Sequence, residues 1–219
     1  MNAYIKAIAR FLLLLIVIQS VRALIAVGLW DFVGRELDLL DWAYVDMVAF
    51  SLIGMGLISF FQPSAKLLAL DWKDASRWER INYVGGGLLT VGLFLSTYFL
   101  QPELFIANFS SVIVIPVFEE MLFRGWGWTQ LDNAASFKHA GLINWLVISF
   151  LFGLWHFGYM DIYMLKVAPA WPEMQWGTFF PMKFITTLLI GLVIGLPRWR
   201  TGRVHGSVIL HGLVNIFGR

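Results

Sequence analysis

The chain has 219 residues, of which 59% are hydrophobic and only 14% are charged. Because a soluble domain carries about 25% charged residues, this composition indicates a protein embedded in a membrane. The net charge is only +2, so nucleic acid is not an expected partner. No cysteine is present, which excludes disulfide bonds, thiolate catalysis and cysteine-ligated metal ions.

Seven apolar stretches follow one another along the chain, at 8–30, 44–61, 82–100, 104–131, 139–159, 181–197 and 204–217. A helix needs about 20 apolar residues to cross a bilayer, and most of these stretches approach that length. The first stretch follows Lys6 and Arg10, but it is longer than the apolar region of a signal peptide, so we interpret it as a retained first helix. The pattern predicts an all-α, polytopic transmembrane bundle of about seven helices, within a range of six to eight.

The distribution of Lys and Arg between these stretches predicts the orientation of the bundle, because cytoplasmic loops carry an excess of both residues. With a cytoplasmic N-terminus and alternating helices, eleven of them fall on the inner side: Lys6, Arg10, Lys66, Lys73, Arg77, Arg80, Arg124, Lys138, Arg198, Arg200 and Arg203. Four fall on the outer side: Arg35, Lys166, Lys183 and Arg219. We therefore predict that the N-terminus is cytoplasmic.

Two connecting segments and two isolated charges complete this map. Residues 62–81 are polar and aromatic and suit a cytoplasmic connection with an interfacial helix. Residues 160–180 contain two prolines and several aromatic residues, which suit an interfacial loop. Arg22 and Asp46 lie inside the first two apolar stretches. Since a charge is costly in a bilayer, we expect these two residues to pair or to face the bundle interior.

The first chemically informative cluster is the pair Glu119-Glu120, inside the fourth apolar stretch. Glu120 and Arg124 are four residues apart, so they can form an ion pair on one face of a helix. Adjacent helical residues point about 100° apart, which leaves Glu119 without this partner. A carboxyl group in an apolar environment suits a general base. Two structural ion pairs would also explain the two acids, and the pair alone does not decide between these interpretations.

Two further polar clusters interrupt later apolar stretches: His156, and then His211 with Asn215. The last two residues are four apart and project from the same helix face. Packing and interhelical hydrogen bonding are the structural alternatives for all three. At ~1.5 Å per residue, these side chains and Glu119 all fall within the ~30 Å hydrocarbon layer. We expect them to converge on one buried cavity, where they could activate a water molecule and stabilise an oxyanion.

Taken in this order, the clusters resemble the motifs of the CAAX-protease and bacteriocin-processing (CPBP, or Abi) family of intramembrane proteases. The motifs are Glu119-Glu120-x-x-x-Arg124, Phe152-x-x-x-His156 and His211-x-x-x-Asn215, with Phe123-Arg124-Gly125 and Thr201-Gly202 beside them. The resemblance covers about 115–217. It divides the membrane unit into residues 1–110, with N-terminal transmembrane helices and a cytoplasmic connection, and residues 111–219, the catalytic core.

The resemblance implies an α-helical intramembrane endopeptidase that hydrolyses a peptide bond of a membrane-associated or prenylated substrate. It implies that Glu119 activates the water and that His156 assists by orienting the water or transferring protons. His211 and Asn215 would bind the oxyanion of the tetrahedral intermediate. The expected partners are membrane lipids and a protein or peptide substrate, with prenylated CAAX proteins, bacteriocin or signalling peptides and membrane-protein fragments all open.

The resemblance gives Glu120 and Arg124 a supporting role, in which they hold the helix geometry and tune the neighbouring acid. It leaves the cofactor open. Glu119, His156 and His211 could bind a divalent metal such as zinc and leave one coordination position open. The chain has no His-Glu-x-x-His helix, the usual zincin spacing, and an amide oxyanion donor needs no metal. The metal-free mechanism is therefore the favoured one.

A non-enzymatic function is the alternative hypothesis. The chain could be an immunity or interaction protein that keeps the family fold, or a small proton-coupled transporter that uses Glu119 and Glu120 as a relay. Transporters of this kind often contain inverted repeats, and the sequence shows none. An interaction phenotype would survive alanine at Glu119, His156 and His211, whereas proteolysis would not. The small size favours a multi-pass protein of a bacterial inner membrane.

Overall fold

The computed structural model describes residues 2–33 and 41–217, and it is a bundle of long helices. The helices are α1 (Asn2–Val33), α2 (Asp41–Phe61), α3 (Arg77–Leu100), α4 (Pro102–Ala134), α5 (Ala140–Gly158), α6 (Trp176–Thr201) and α7 (His205–Phe217). Within the described ranges there is no strand, and six helices, α1 to α6, are long and apolar enough to cross a membrane. The predicted all-α bundle of about seven helices is thereby confirmed, with α7 as a shorter apolar helix of 13 residues.

Local sequence explains where several helices begin and end. Ser76 and Glu79 form a reciprocal capping box at the start of α3, in which each side chain accepts from the other residue's backbone N–H. Pro102 opens α4 at a position where its missing N–H costs nothing. Gly202 ends α6 in the left-handed region, with φ at 71°, which a glycine adopts without strain.

The helices pack so that α4 and α5 lie at the centre of the bundle. α6 runs along α5 and also contacts α7, while α7 packs against α3 and the middle of α4. α1 lies beside α2, α4 and α5. One buried aromatic cluster joins α1, α4 and α5 through Phe11, Phe123 and Phe152. The outer faces are apolar, as Leu88 and Phe99 on α3 show, which suits contact with lipid.

The two connecting segments differ from their predictions. Residues 62–76 form turns and contain no interfacial helix. Two of their backbone carbonyls accept hydrogen bonds from the segment between α6 and α7. The Ala69 carbonyl accepts from the Val204 backbone N–H at 3.1 Å, and the Asp71 carbonyl accepts from Arg203 at 3.0 Å. Residues 160–170, predicted as a loop, form consecutive helical turns after α5. That loop prediction is correct only for the few residues before α6.

The isolated charges in the first two helices pair as expected, since Arg22 Nη1 lies 3.6 Å from Asp46 Oδ1. Arg22 makes closer contacts with Asp161, described below, which the sequence did not predict. Two residues used to predict the orientation, Arg35 and Arg219, lie outside the described residues.

Two more of the charges assigned to the flanks of the helices lie elsewhere. Arg124 is fully buried in α4, and Lys183 lies within α6. Neither residue therefore flanks a helix. A cytoplasmic N-terminus stays a prediction.

Candidate active site

The glutamate pair lies where α4 departs from regular α-helical geometry. Residues Ser110–Val114 and Met121–Gly127 form π-helical turns on either side of the regular segment Ile115–Glu120. A π-turn inserts an extra residue and rotates the side chains that follow, and such turns often accompany functional sites. Glu119 is 2% exposed and Glu120 is 0% exposed, so α4 carries both acids into the protein interior.

Glu119 is held through one oxygen by two donors from the end of α5. Trp155 Nε1 donates to Glu119 Oε1 at 2.8 Å, and the Tyr159 hydroxyl donates to the same oxygen at 3.0 Å. The other oxygen, Oε2, lies 4.0 Å from His211 Nε2. That separation is too long for a direct hydrogen bond. One carboxylate oxygen is therefore anchored, and the other faces an imidazole across a gap.

Glu120 connects α4 to α7. Its Oε1 lies 3.1 Å from Arg124 Nη1, which is the predicted ion pair, and 2.9 Å from His211 Nδ1. The contact with His211 was not predicted, and it fixes the imidazole that faces Glu119. Arg124 in turn donates to the Gly191 carbonyl at 2.9 Å. The pair thus ties α4 to both α6 and α7.

His156 ends the regular part of α5 and is 8% exposed. Its Nδ1 lies 2.8 Å from the Phe152 carbonyl. Because a carbonyl only accepts, Nδ1 carries a proton, and Nε2 is the acceptor when the ring is neutral. The Phe152 ring contacts both histidines, with its centroid 4.9 Å from that of His156 and 5.9 Å from that of His211. His156 and His211 therefore contact the same aromatic side chain, that of Phe152.

Asn215 occupies the next turn of α7 after His211, as the spacing predicted, and is half-buried. Its Nδ2 donates to the Ser111 carbonyl in the first π-turn of α4 at 2.7 Å. An amide nitrogen carries two N–H donors, so this bond leaves one of them. The structure joins Glu120, Arg124 and His211 directly and places Glu119 Oε2 4.0 Å from His211 Nε2. Asn215 is anchored to the backbone of α4.

The fit of a metal ion can be tested on the donor atoms. Among the residues that the structure describes, no group of three or more His, Asp or Glu side chains is arranged so that it could hold a metal. The Glu119, His156 and His211 set proposed for zinc is not such a group in this conformation. Glu119 Oε1 and His211 Nδ1 already have hydrogen-bond partners. These side chains do not fit a three-ligand metal site as they stand.

Sequence reasoning missed Trp155 and Tyr159, the two donors to Glu119. Their spacing of four residues places both side chains on one helix face, but that spacing alone does not indicate a site. With 11 Trp and 6 Tyr in the chain, and with aromatic residues common at membrane interfaces, nothing distinguished these two.

Comparison with known proteins gives one finding. The sequence model of a family described as type II CAAX prenyl endopeptidase Rce1-like matches residues 100–217, just over half of the chain. The match includes every residue of the candidate site described above. No curated protein and no solved structure matches the chain.

Proposed function

Since this chain belongs to the Rce1-like family of type II CAAX prenyl endopeptidases, we propose that it hydrolyses a peptide bond of a membrane-associated substrate, with Glu119 as the general base. The observation that carries the proposal is the asymmetric holding of the Glu119 carboxylate. One oxygen is anchored by Trp155 and Tyr159, and the other faces His211 at 4.0 Å. A general base must lie within hydrogen-bond reach of the proton that it accepts, directly or through one water molecule, and Oε2 is the oxygen that the two donors leave for this role.

The gap between Glu119 Oε2 and His211 Nε2 has the right size for a water molecule. Two hydrogen bonds of about 2.8 Å each can bridge a 4.0 Å separation. In the proposed reaction, Glu119 removes a proton from this water, and the oxygen of the water attacks the carbonyl carbon of the substrate. His156, whose Nε2 is the acceptor of its neutral ring, assists by orienting the water or by transferring the proton.

The oxyanion that then forms needs hydrogen-bond donors. The contact with Glu120 occupies His211 Nδ1, so a protonated His211 presents its Nε2–H as a donor. Asn215 contributes the amide N–H that is not bonded to Ser111. When the carbon–nitrogen bond breaks, the proton held by Glu119 passes to the amine that leaves. Water is thereby added across the peptide bond, and no metal-dependent step is required.

The division of labour along the chain is part of the proposal. Residues 111–219 would form the catalytic core and residues 1–110 the supporting transmembrane part. Substrates with a prenylated C-terminal CAAX sequence fit the family best, and bacteriocin or signalling peptides remain in the substrate class. Membrane lipids are the surroundings of this multi-pass protein, and we propose that the membrane is the inner membrane of a bacterium.

The test compares Glu119→Ala and Glu119→Gln with wild type in proteoliposomes. The probe is an internally quenched peptide that ends in a farnesylated Cys-aliphatic-aliphatic-X sequence, and a second probe is the same peptide without the farnesyl group. Gln keeps the size of Glu119 and its contacts with both donors but cannot accept a proton as a carboxylate does. We expect both variants to lower kcat at least ~10²-fold, as for loss of a general base.

The matched control is Glu103→Gln, which makes the same chemical change at an exposed position of the same helix. It should leave kcat unchanged. In parallel, mass spectrometry should find uncleaved membrane proteins that accumulate in cells with the Glu119→Ala chain. Glu119 variants with wild-type turnover would contradict the proposal. So would a wild-type chain that cleaves neither peptide and leaves the same membrane proteins as Glu119→Ala.

A further inference from the structure

Gln19 and Arg22 form a buried polar pair in the middle of α1. Arg22 is 0% exposed, and its Nη1 and Nη2 contact the two oxygens of Asp161 at 3.0 and 2.5 Å. Nη2 also donates to the Gly158 carbonyl at 3.3 Å. Asp46 of α2 lies 3.6 Å from Nη1. Through these ion pairs and hydrogen bonds, Arg22 connects α1 and α2 to the turn that follows α5.

The end of α5 and the turn after it provide the two donors to Glu119, Trp155 and Tyr159. The Arg22 guanidinium lies 4.6 Å from the centroid of the Tyr159 ring. Gln19 Nε2 donates to the Trp155 carbonyl at 2.9 Å, and Gln19 Oε1 accepts from Arg22 Nε at 2.5 Å. Two side chains of α1, bonded to each other, thus contact both residues that hold Glu119 Oε1.

α1 also approaches this turn very closely. A Cβ atom built at Gly158 would lie 2.2 Å from Cγ of Gln19. Gly158 therefore leaves room for the Gln19 side chain to lie against the backbone of the turn.

The physical cost of this arrangement argues for a role beyond stability. A buried arginine in a membrane is expensive, and a buried ion pair is often no more stabilising than apolar residues of the same volume. The planar guanidinium does, however, fix the direction of its bidentate partner. A catalytic group has to be held within about 0.5 Å of its working position by neighbouring side chains. A rigid ionic clamp on the turn that orients Glu119 meets that requirement.

We propose that Gln19 and Arg22 are positioning residues for Glu119. They hold the 155–161 turn so that Trp155 and Tyr159 keep Oε1 in place and leave Oε2 to the reaction. This inference rests on the proposed function, because it needs Glu119 to be the general base. It gives α1 a role in the chemistry although α1 lies outside the residues that match the family, 100–217.

The test is a double-mutant cycle between Arg22→Lys and Tyr159→Phe, with the farnesylated quenched peptide as the probe. Lys keeps the charge of Arg22 but loses its bidentate geometry, and Phe removes only the hydroxyl that reaches Glu119. We expect each change alone to lower kcat about tenfold, as for one charge-assisted hydrogen bond, with KM changed less than about twofold. In the Tyr159→Phe background, Arg22→Lys should lower kcat by less than about threefold.

A second readout does not depend on the substrate. A hydrophobic carbodiimide reacts with buried carboxyl groups, and mass spectrometry measures how fast Glu119 is modified. A carboxyl group whose donors are lost or displaced should react faster with the carbodiimide. Arg22→Lys and Tyr159→Phe should therefore both accelerate the modification of Glu119. An unchanged rate in both variants would overturn the inference.

The control is Arg203→Lys, which disturbs another arginine ion pair, the 2.9 Å contact with Glu79. It should leave kcat and the Glu119 modification rate unchanged.

If Arg22→Lys does not fold, Gln19→Leu provides a second test, because it removes the bond to the Trp155 carbonyl. Gln19→Leu must lower kcat, and an unchanged kcat overturns the inference. Equal losses from Arg22→Lys in both backgrounds would also overturn it. Should Glu119→Gln remain fully active, the proposed function fails, whereas inactive Glu119→Gln with unaffected Arg22→Lys refutes only the positioning role.

Discussion

The two halves of the bundle contain helices that differ in how much of their length is buried within the protein. In α2 and α3, 22% and 17% of the membrane-spanning window is buried within the protein, whereas in α4 and α5 the values are 33% and 44%. α2 and α3 therefore expose a larger share of their length than α4 and α5, which lie at the centre of the bundle. The candidate catalytic acids lie on α4, and their two aromatic donors lie at the end of α5.

The difference shows where a membrane protein can place chemistry. A carboxylate on a lipid-facing surface has no partner, whereas the interior of the bundle supplies donors and cations that make its burial tolerable. Glu120, with Arg124 and His211 beside it, illustrates this. Arg22 in α1 is the counterpart in the first half, and it too faces the interior, toward the end of α5.

The largest expected effect comes from breaking an ion pair in the interior. Glu120→Gln leaves the fully buried Arg124 without a carboxylate, so it should lower the free energy of unfolding by about 3–5 kcal/mol. The matched change in the first half is Glu79→Gln, since Glu79 pairs with Arg203 at 2.9 Å in a more exposed place. Gln can still accept from the Ser76 backbone N–H, so the helix cap survives and the loss should stay below about 1 kcal/mol.

Thermal unfolding in one detergent measures both changes. Similar losses of stability for the two variants would break the contrast between the interior and the periphery. Glu120→Gln should also lower kcat, because it removes the carboxylate that orients His211.

The next effect separates catalysis from packing in α7. If Asn215 binds the oxyanion, Asn215→Ala should lower kcat by about 10²–10³-fold, while the lost bond to the Ser111 carbonyl costs only about 0.6 kcal/mol of stability. Asn108→Ala is the control, because Asn108 also makes an interhelical bond, to the Thr97 hydroxyl at 3.0 Å. It should cost similar stability and leave kcat unchanged. Equal kcat values in the two variants would assign Asn215 to packing.

Much of the fold was predictable from the sequence because each helix carries its own apolar stretch. The Glu120 and Arg124 pair was predictable for the same local reason, since four residues make one helical turn. Contacts between distant segments were not. Arg22 and Asp161 are 139 residues apart, and Asp161 lies in a segment predicted as a loop. The contact between Glu120 and His211 depends on how α7 is rotated against α4, which no local pattern reports.

The smallest expected effect comes from removing one methylene group at a buried position in the second half and at an exposed position in the first half. Ile148 in α5 is 0% exposed, and Ile58 in α2 is 62% exposed. Ile148→Val leaves a small cavity and should lower the free energy of unfolding by about 1 kcal/mol. The Ile58 side chain faces lipid, which is equally apolar and fills the volume that Ile58→Val leaves. This substitution should therefore change the free energy of unfolding by no more than about 0.5 kcal/mol. Both variants lose the same atoms, so unfolding in the same detergent isolates burial as the cause, and equal shifts would mean that α2 is packed as tightly as α5.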